Sequence, residues 1–261
     1  MRADILNENN SKLKELKKII KEKNDYLLIE GMKLFSEAVK SKIQIEKIYI
    51  DKSNMESLYK IYPKYESCEI VFVSNNLLSE NYTTESGPEG ENLILALAKR
   101  STWEITPLLK LKKNIIFLER IQDPGNLGTI LRSALAFGAS AVCLSENSVD
   151  PFNTKVIRAS AGAVFSTPVI SVDNIDSFYK QIKEYGYKII ATRISAKKSL
   201  EELKLNSPAI FLFGNEGTGL SKKMIDLSDE TIKIPHSNKV ESLNLGVSVG
   251  LVLWELYKQN E

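Results

Sequence analysis

The chain has 261 residues, 43% hydrophobic and 26% charged, a balance that excludes disordered and collagen-like polypeptides and predicts one large or two modest folded domains. Lys and Arg total 35 against 33 Asp and Glu, for a net charge of +2. Overall charge therefore argues neither for nor against a polyanionic partner, and only local clustering can decide.

The N-terminus has no apolar core followed by small residues, so it does not read as a signal peptide. No uncharged apolar run reaches the roughly 18 residues of a membrane span, and the expectation is a cytoplasmic protein with no membrane partner. Residues 11–23 carry six lysines, with Leu13, Leu16 and Ile20 at helical spacing. This predicts a short helix whose basic face is either simply solvated or a contact for phosphates.

Strand signals follow at Tyr26 to Ile29, in the alternating run Ile43, Ile45, Ile48 and Ile50, at Glu69 to Val73, and at Leu93 to Ala98. A helical stretch runs from Met32 to Val39, and the breaker Ser86-Gly87-Pro88-Glu89-Gly90 precedes the last strand. These elements describe a small α/β unit. Trp103 to Lys113, polar and carrying Pro107, reads as a connector, which sets the domains at 1–107 and 108–261. Cys68 and Cys143 have no CxxC spacing and lie in or beside apolar runs, so both are expected to be buried free thiols of a reducing compartment.

From Ile115 the pattern becomes regular. Apolar runs at Ile115 to Leu118, Ala141 to Leu144, Ile189 to Ala191, Ile210 to Phe213 and Thr231 to Ile234 alternate with helical stretches. Short apolar runs between amphipathic helices predict a parallel sheet covered on both faces. Ligands of such sheets bind at the carboxyl ends of the strands, so the residues after each run are the ones to inspect.

After the first run, Asp123-Pro124-Gly125-Asn126-Leu127-Gly128 forms a tight turn into a helix that Gly138 ends. Leu127, Ile130, Leu131, Ala134 and Leu135 mark its buried stripe, and Arg132 faces outward with Thr129 and Ala136. After Phe213 comes Gly214-Asn215-Glu216-Gly217-Thr218-Gly219. Its GxxGxG order is neither the dinucleotide fingerprint nor a P-loop, and Glu216 is either a solvated carboxylate or an acceptor for substrate hydroxyls. After Ile234, the segment Pro235 to Asn244 leads into a buried helix from Leu245 to Tyr257. Gly246 and Gly250 would form a flat stripe on it, suited to a dry interface. Gly246-Val247-Ser248-Val249-Gly250 also matches GxSxG, but a hydrolase needs its base after the serine, and the only histidine, His236, precedes it. That single imidazole also excludes HExxH zinc sites and paired-histidine relays, and no metal is expected.

Together these segments resemble the three motifs of the SpoU (TrmH-like) family of SPOUT RNA methyltransferases. Asp123 through Arg132-Ser133-Ala134 to Phe137-Gly138 is similar to the first, Phe213 to Leu220 to the second, and Ile234-Pro235 with Ser242-Leu243-Asn244 to the third. Lys155 to Gly162 resembles the family's KxxRAS(A/M)G stretch, and Ile29-Glu30-Gly31 and Pro88-Glu89-Gly90 resemble features of its N-terminal domain. His236 stands where the family commonly has Met, and Gly246 where it commonly has Ser.

The resemblance implies a deep trefoil-knotted α/β domain behind a smaller, ribosomal-protein-like α/β domain that binds the RNA substrate. It implies a homodimer that transfers methyl from S-adenosylmethionine to a ribose 2′-hydroxyl, with rRNA favoured over tRNA; the alternative is an RNA-binding protein of the same fold without activity. Phe213, Gly214, Asn215, Gly217, Ile234, Pro235, Ser242, Leu243 and Asn244 would hold the cofactor, and Arg132, Asn126, Glu216 and Asn244 would serve catalysis. Arg132, contributed by either subunit, would act as the base or, since a guanidinium is essentially never deprotonated, as an electrostatic stabiliser. Lys155, Arg158, Lys197 and Lys198 are candidate phosphate contacts.

Overall fold

A computed structural model of the chain describes residues 4–5, 16, 25–64, 68–83, 93–237 and 239–259. The lysine-rich helix expected over 11–23 lies outside these residues except for Leu16, which is helical and buried, and Pro88-Glu89-Gly90 lies outside them altogether. The chain divides into two units, Met1–Ser101 with Phe152–Arg158, and Thr102–Pro151 with Ala159–Glu261.

The first unit is built on β1 (Asp4–Ile5), β2 (Tyr26–Glu30), α1 (Met32–Lys40), β3 (Ile45–Ile50), α2 (Met55–Ile61), β4 (Glu69–Phe72), α3 (Asn75–Glu80) and β5 (Ile94–Lys99). The sheet order is β1-β4-β3-β5-β2, with β5 antiparallel to both neighbours and the other pairs parallel. Gly31 has φ +90°, a conformation costly for any residue with a Cβ, and it turns the chain from β2 into α1. Leu28, Tyr49, Val71, Leu78, Leu95 and Leu97 pack as one apolar cluster against which a helical face closes.

A segment from much later in the chain completes this unit. The Arg100 guanidinium lies 5.3 Å from the ring centroid of Phe152, and Thr83 Oγ1 donates to Thr154 Oγ1 at 2.9 Å. Arg158 Nη2 donates to Glu30 Oε2 at 2.6 Å, and the Thr83 amide donates to Glu30 Oε1 at 2.7 Å. The Glu30 side chain is only 3% exposed. A carboxylate so far removed from water is tolerated because a cation and an amide satisfy it.

The second unit contains α4 (Ile105–Lys110), β6 (Ile115–Leu118), α5 (Pro124–Ala136), β7 (Ala141–Ser145), the end of α6 (Thr154–Ala159), β8 (Val169–Val172), α7 (Ile175–Glu184), β9 (Lys188–Thr192), β10 (Lys198–Ser199), β11 (Ala209–Phe213), α8 (Lys222–Asp226), β12 (Glu230–Lys233) and α9 (Leu245–Lys258). Its seven strands run parallel in the order β10-β12-β9-β11-β6-β7-β8. Every residue of β6 and β11 is buried, as the continuous apolar runs predicted for a sheet covered on both faces.

Three sequence readings need correction here. The expected connector at Trp103 to Lys113 contains α4, whose Leu108 and Leu109 join the core beside Phe117 and Leu212. Pro107 falls in its first turn, where no intrahelical N–H is required. Leu135, placed on the buried stripe of α5, is 46% exposed, whereas Leu127, Ile130, Leu131 and Ala134 are buried. Cys143 is buried, but Cys68 is only half-buried; burial pushes the Cys68 thiol up to about 11, which leaves it protonated and unreactive near neutrality.

Candidate active site

The first bend of the site follows β6. Asp123 Oδ1 accepts the Asn126 amide at 2.9 Å, which caps α5, and Pro124 occupies its first turn. This fixes Asn126 at the helix entrance, with its side chain directed at the second bend.

That second bend follows β11 and is held from several sides. A Cβ on Gly214 would lie 2.0 Å from Gly219 C and Leu220 N, so only glycine lets the two strands of the loop pass this closely. Asn215 Oδ1 accepts the Gly217 amide at 2.9 Å, and Asn215 Nδ2 donates to Arg120 O at 2.8 Å. The buried Glu119 accepts the Ser221 amide at 2.7 Å, while its own amide donates to Phe213 O at 2.8 Å. The loop's shape is thus held by the protein's own groups.

The third bend runs from Ile234 to Asn244. Asn244 caps α9 through the Val247 amide at 3.2 Å, and His236 Nδ1 lies 2.9 Å from Ile234 O. Ser242 and Leu243 form no backbone hydrogen bond among the described residues, so their N–H and C=O groups are open to a ligand.

Side chains tie the bends together. Asn244 Nδ2 donates to Asn126 Oδ1 at 2.9 Å, and Asn126 Nδ2 donates to Glu216 Oε1 at 3.2 Å. The Asp123 amide also reaches Glu216 Oε1, at 3.4 Å. Asn126, Glu216 and Asn244, three of the four residues singled out for catalysis, are therefore one hydrogen-bonded chain across all three bends.

The bends enclose a cleft of about 950 Å³, lined by Phe213, Gly214, Asn215, Gly217, Ile234, Ser242, Leu243 and Asn244 among others, a volume suited to a nucleoside-sized ligand. Pro235 and Arg132 are not among the lining residues; both are exposed. Arg132 projects from α5 with no partner among the described residues.

Thr192 at the end of β9 and Arg193 and Ile194 just after it line the same cleft and were not singled out from the sequence. The rule that function sits just after each buried run of a parallel sheet points to them. Two suggested phosphate contacts are engaged elsewhere. Arg158 is paired with Glu30, and Lys198, with Lys188, holds Glu230 at 2.5 Å. Lys155 and Lys197 are exposed.

The GxSxG match lies within α9 rather than on a strand-to-helix turn, so it is no nucleophile elbow. The Gly246 and Gly250 stripe packs within the chain: a Cβ on Gly246 would lie 3.2 Å from Thr129 Cγ2, and one on Gly250 would lie 4.0 Å from Ser133 Oγ. Among the described residues no group of three or more His, Cys, Asp or Glu is arranged to hold a metal ion, and no helix is long and apolar enough to cross a membrane.

Residues 113–254 match the SpoU rRNA Methylase family. An uncharacterized tRNA/rRNA methyltransferase of Synechocystis sp. is 34% identical over 74% of this chain and 69% of its own length. The 23S rRNA (guanosine(2553)-2′-O)-methyltransferase RlmP of Bacillus subtilis is 27% identical over 95% of this chain and 96% of its own. Among solved structures, an AdoMet-bound rRNA methyltransferase from Sinorhizobium meliloti superposes with a TM-score of 0.83 at 23% identity, covering 98% of this chain and 97% of that one; this likeness concerns the fold. With residues 113–254, more than half of the chain, matched and most of the motif residues gathered at one cleft, the chain belongs to the SpoU rRNA methylase family.

Proposed function

We propose that this protein transfers a methyl group from S-adenosylmethionine to a ribose 2′-hydroxyl of ribosomal RNA, working in the cytoplasm as a homodimer whose N-terminal unit binds the RNA. The observation that carries the reading is the hydrogen-bonded chain Asn244, Asn126 and Glu216, which joins three strand-end bends around one cleft. Full-length similarity to RlmP supports rRNA as the substrate class.

The residues present fit the cofactor. The open backbone groups of Ser242 and Leu243 suit an adenine edge, the Gly214 loop brings backbone to the ligand without side-chain obstruction, and Phe213 and Ile234 supply apolar walls. When bound, S-adenosylmethionine supplies a methyl carbon on a sulfonium, a leaving group that needs no metal assistance.

The remaining difficulty belongs to the protein. A ribose hydroxyl is poorly ionised at neutral pH, so the site must hold it in line and stabilise the alkoxide as its proton leaves. Asn126 is held at both ends of its amide, by Asn244 and by Glu216, and is therefore pre-oriented toward the reacting sugar. Among the described residues Glu216 Oε2 accepts only from the side-chain amide of Asn215, at 3.4 Å, and can accept a hydrogen bond from a sugar hydroxyl.

Arg132 completes the site from the other subunit. It does not line the cleft of its own chain, and α5 and α9 together expose Leu135, Val247, Leu251 and Trp254. Val247, Leu251 and Trp254 recur at i, i+4 and i+7, one face of α9. An apolar face of this kind marks an interface, and a second copy seated there would carry Arg132 of the partner subunit toward the cleft. Its fixed positive charge would pair with the phosphate beside the target ribose and lower the hydroxyl pKa.

Ribose-methylation mapping of total RNA from cells with and without the gene tests this reading. The expected result is loss of one 2′-O-methyl site in rRNA. Loss confined to tRNA would overturn the substrate, and an unchanged map with no S-adenosylmethionine binding would overturn the activity.

A further inference from the structure

We propose that Arg193 anchors the carboxylate at the methionyl end of S-adenosylmethionine; the assignment rests on the cofactor reading above. Arg193 leaves the end of β9 with its backbone pinned on both sides. Its amide donates to Ile232 O at 2.9 Å, and the hydroxyl of the preceding Thr192 donates to Leu212 O at 2.8 Å. The side chain is exposed at the cleft wall and is the only Lys or Arg among the described lining residues.

Its surroundings make this placement specific. Asp123, Glu216 and Glu241 line the same cleft, yet Arg193 forms no ion pair or side-chain hydrogen bond with any described residue. A guanidinium beside several carboxylates that pairs with none of them is left available for an anion from outside. The carboxylates suit the sulfonium and ammonium of the cofactor but repel its single carboxylate, so that group alone requires a cation in the cleft. The planar fork of an arginine matches a carboxylate bidentately. The other anion of the reaction, the RNA phosphate, is assigned to Arg132.

Calorimetry on the full-length protein tests the assignment with two probes, S-adenosylhomocysteine, which has the carboxylate, and 5′-methylthioadenosine, which lacks it. Arg193→Ala is expected to weaken S-adenosylhomocysteine by about tenfold to hundredfold, the range for a charge-assisted pair, with 5′-methylthioadenosine affinity unchanged and with partial recovery in Arg193→Lys. Equal loss for both probes would assign the effect to loop structure and overturn the proposal. So would unchanged affinity for both, or weakened RNA binding with a shallower salt dependence and no cofactor effect, the mark of a phosphate contact. Wild-type protein that binds neither probe would overturn the cofactor reading itself, and the role of Arg193 with it.

Discussion

Asn244 and Asn126 lie 118 residues apart in the chain and share a 2.9 Å hydrogen bond, so the cap of the last helix and the entrance of α5 are aligned by one amide pair. Asn126 sits in the middle of the chain that ends on Glu216. Asn126→Ala is expected to reduce kcat by about 10²-fold or more, the usual cost of one pre-oriented polar group, with S-adenosylmethionine affinity within a few-fold of wild type. Asn244→Ala removes a helix cap as well, and its thermal unfolding should report about 1 kcal/mol of lost stability. Single-turnover methylation, calorimetry and melting curves separate the two effects.

Arg132 and Gly214 offer a complementation test. Arg132→Ala should abolish methylation while cofactor binding persists. Gly214→Ala, whose Cβ would meet Gly219 C and Leu220 N at 2.0 Å, should lose cofactor binding. If Arg132 acts across the subunit boundary, co-expressed chains carrying one defect each form heterodimers in which one of the two sites has both functions intact. Activity should then reappear in the mixture, and its continued absence would return Arg132 to its own subunit.

The exposed face of α9 should hold the subunits together. Trp254→Glu replaces an aromatic that is 46% exposed and stacked with Tyr257 at a centroid distance of 6.1 Å. The variant should sediment as a monomer, retain its melting temperature within a few degrees and lose methylation. A variant that sediments as a dimer would place the interface elsewhere.

Gly128 is buried where α5 crosses the start of the 160s. A Cβ there would fall 2.4 Å from Ala159 Cβ and 2.7 Å from Ser160 N, and the second of these is backbone that cannot rotate away. Gly128→Ala should destabilise the protein by about 1–3 kcal/mol, the range for overpacking, read as a lower urea midpoint with unchanged slope.

Glu230 gives a pH dependence whose sign is fixed by its partners. The Lys188 ammonium, then that of Lys198, hydrogen-bonds its carboxyl and holds it below the ordinary carboxylate range. A lowered folded pKa stabilises the protein above the unfolded value, about 4.3, and the contribution disappears as pH falls through the folded value. Glu230→Gln should therefore lower the urea midpoint at pH 7, and the two proteins should converge as pH falls through the lowered folded value.

Much of this architecture was legible because periodicity reports burial. The strands β6, β7, β9 and β11 are buried along nearly their whole length and read as continuous apolar runs. The edge strands carried no such signal: β8 alternates buried Ile170 and Val172 with exposed Ser171, and β10 has only two residues. The α4 helix was hidden by Pro107 and by the lysines at and just after its end, Lys110, Lys112 and Lys113, although Leu108 and Leu109 are in the core. The outward direction of Arg132 followed from helical spacing, but the exposure of Leu135 did not, since an apolar residue on an exposed face looks the same in sequence as one in a core. Asn126, Glu216 and Asn244 could be identified by motif, whereas their linkage into one chain is a property of three dimensions. Arg193 belongs to no motif; its place just after a buried strand pointed to it, but its standing as the one cation among the described cleft residues is a property of three dimensions.

The pairing of Glu30 with Arg158 also governs the order in which the newly made polypeptide can mature. While only the first hundred residues have been synthesised, the Glu30 carboxylate lacks the Arg158 guanidinium, and Phe152 is not yet available to Arg100. The N-terminal unit must therefore wait, incompletely closed, through synthesis of about fifty further residues. A fragment ending at Ser101 would be left permanently at that unfinished stage.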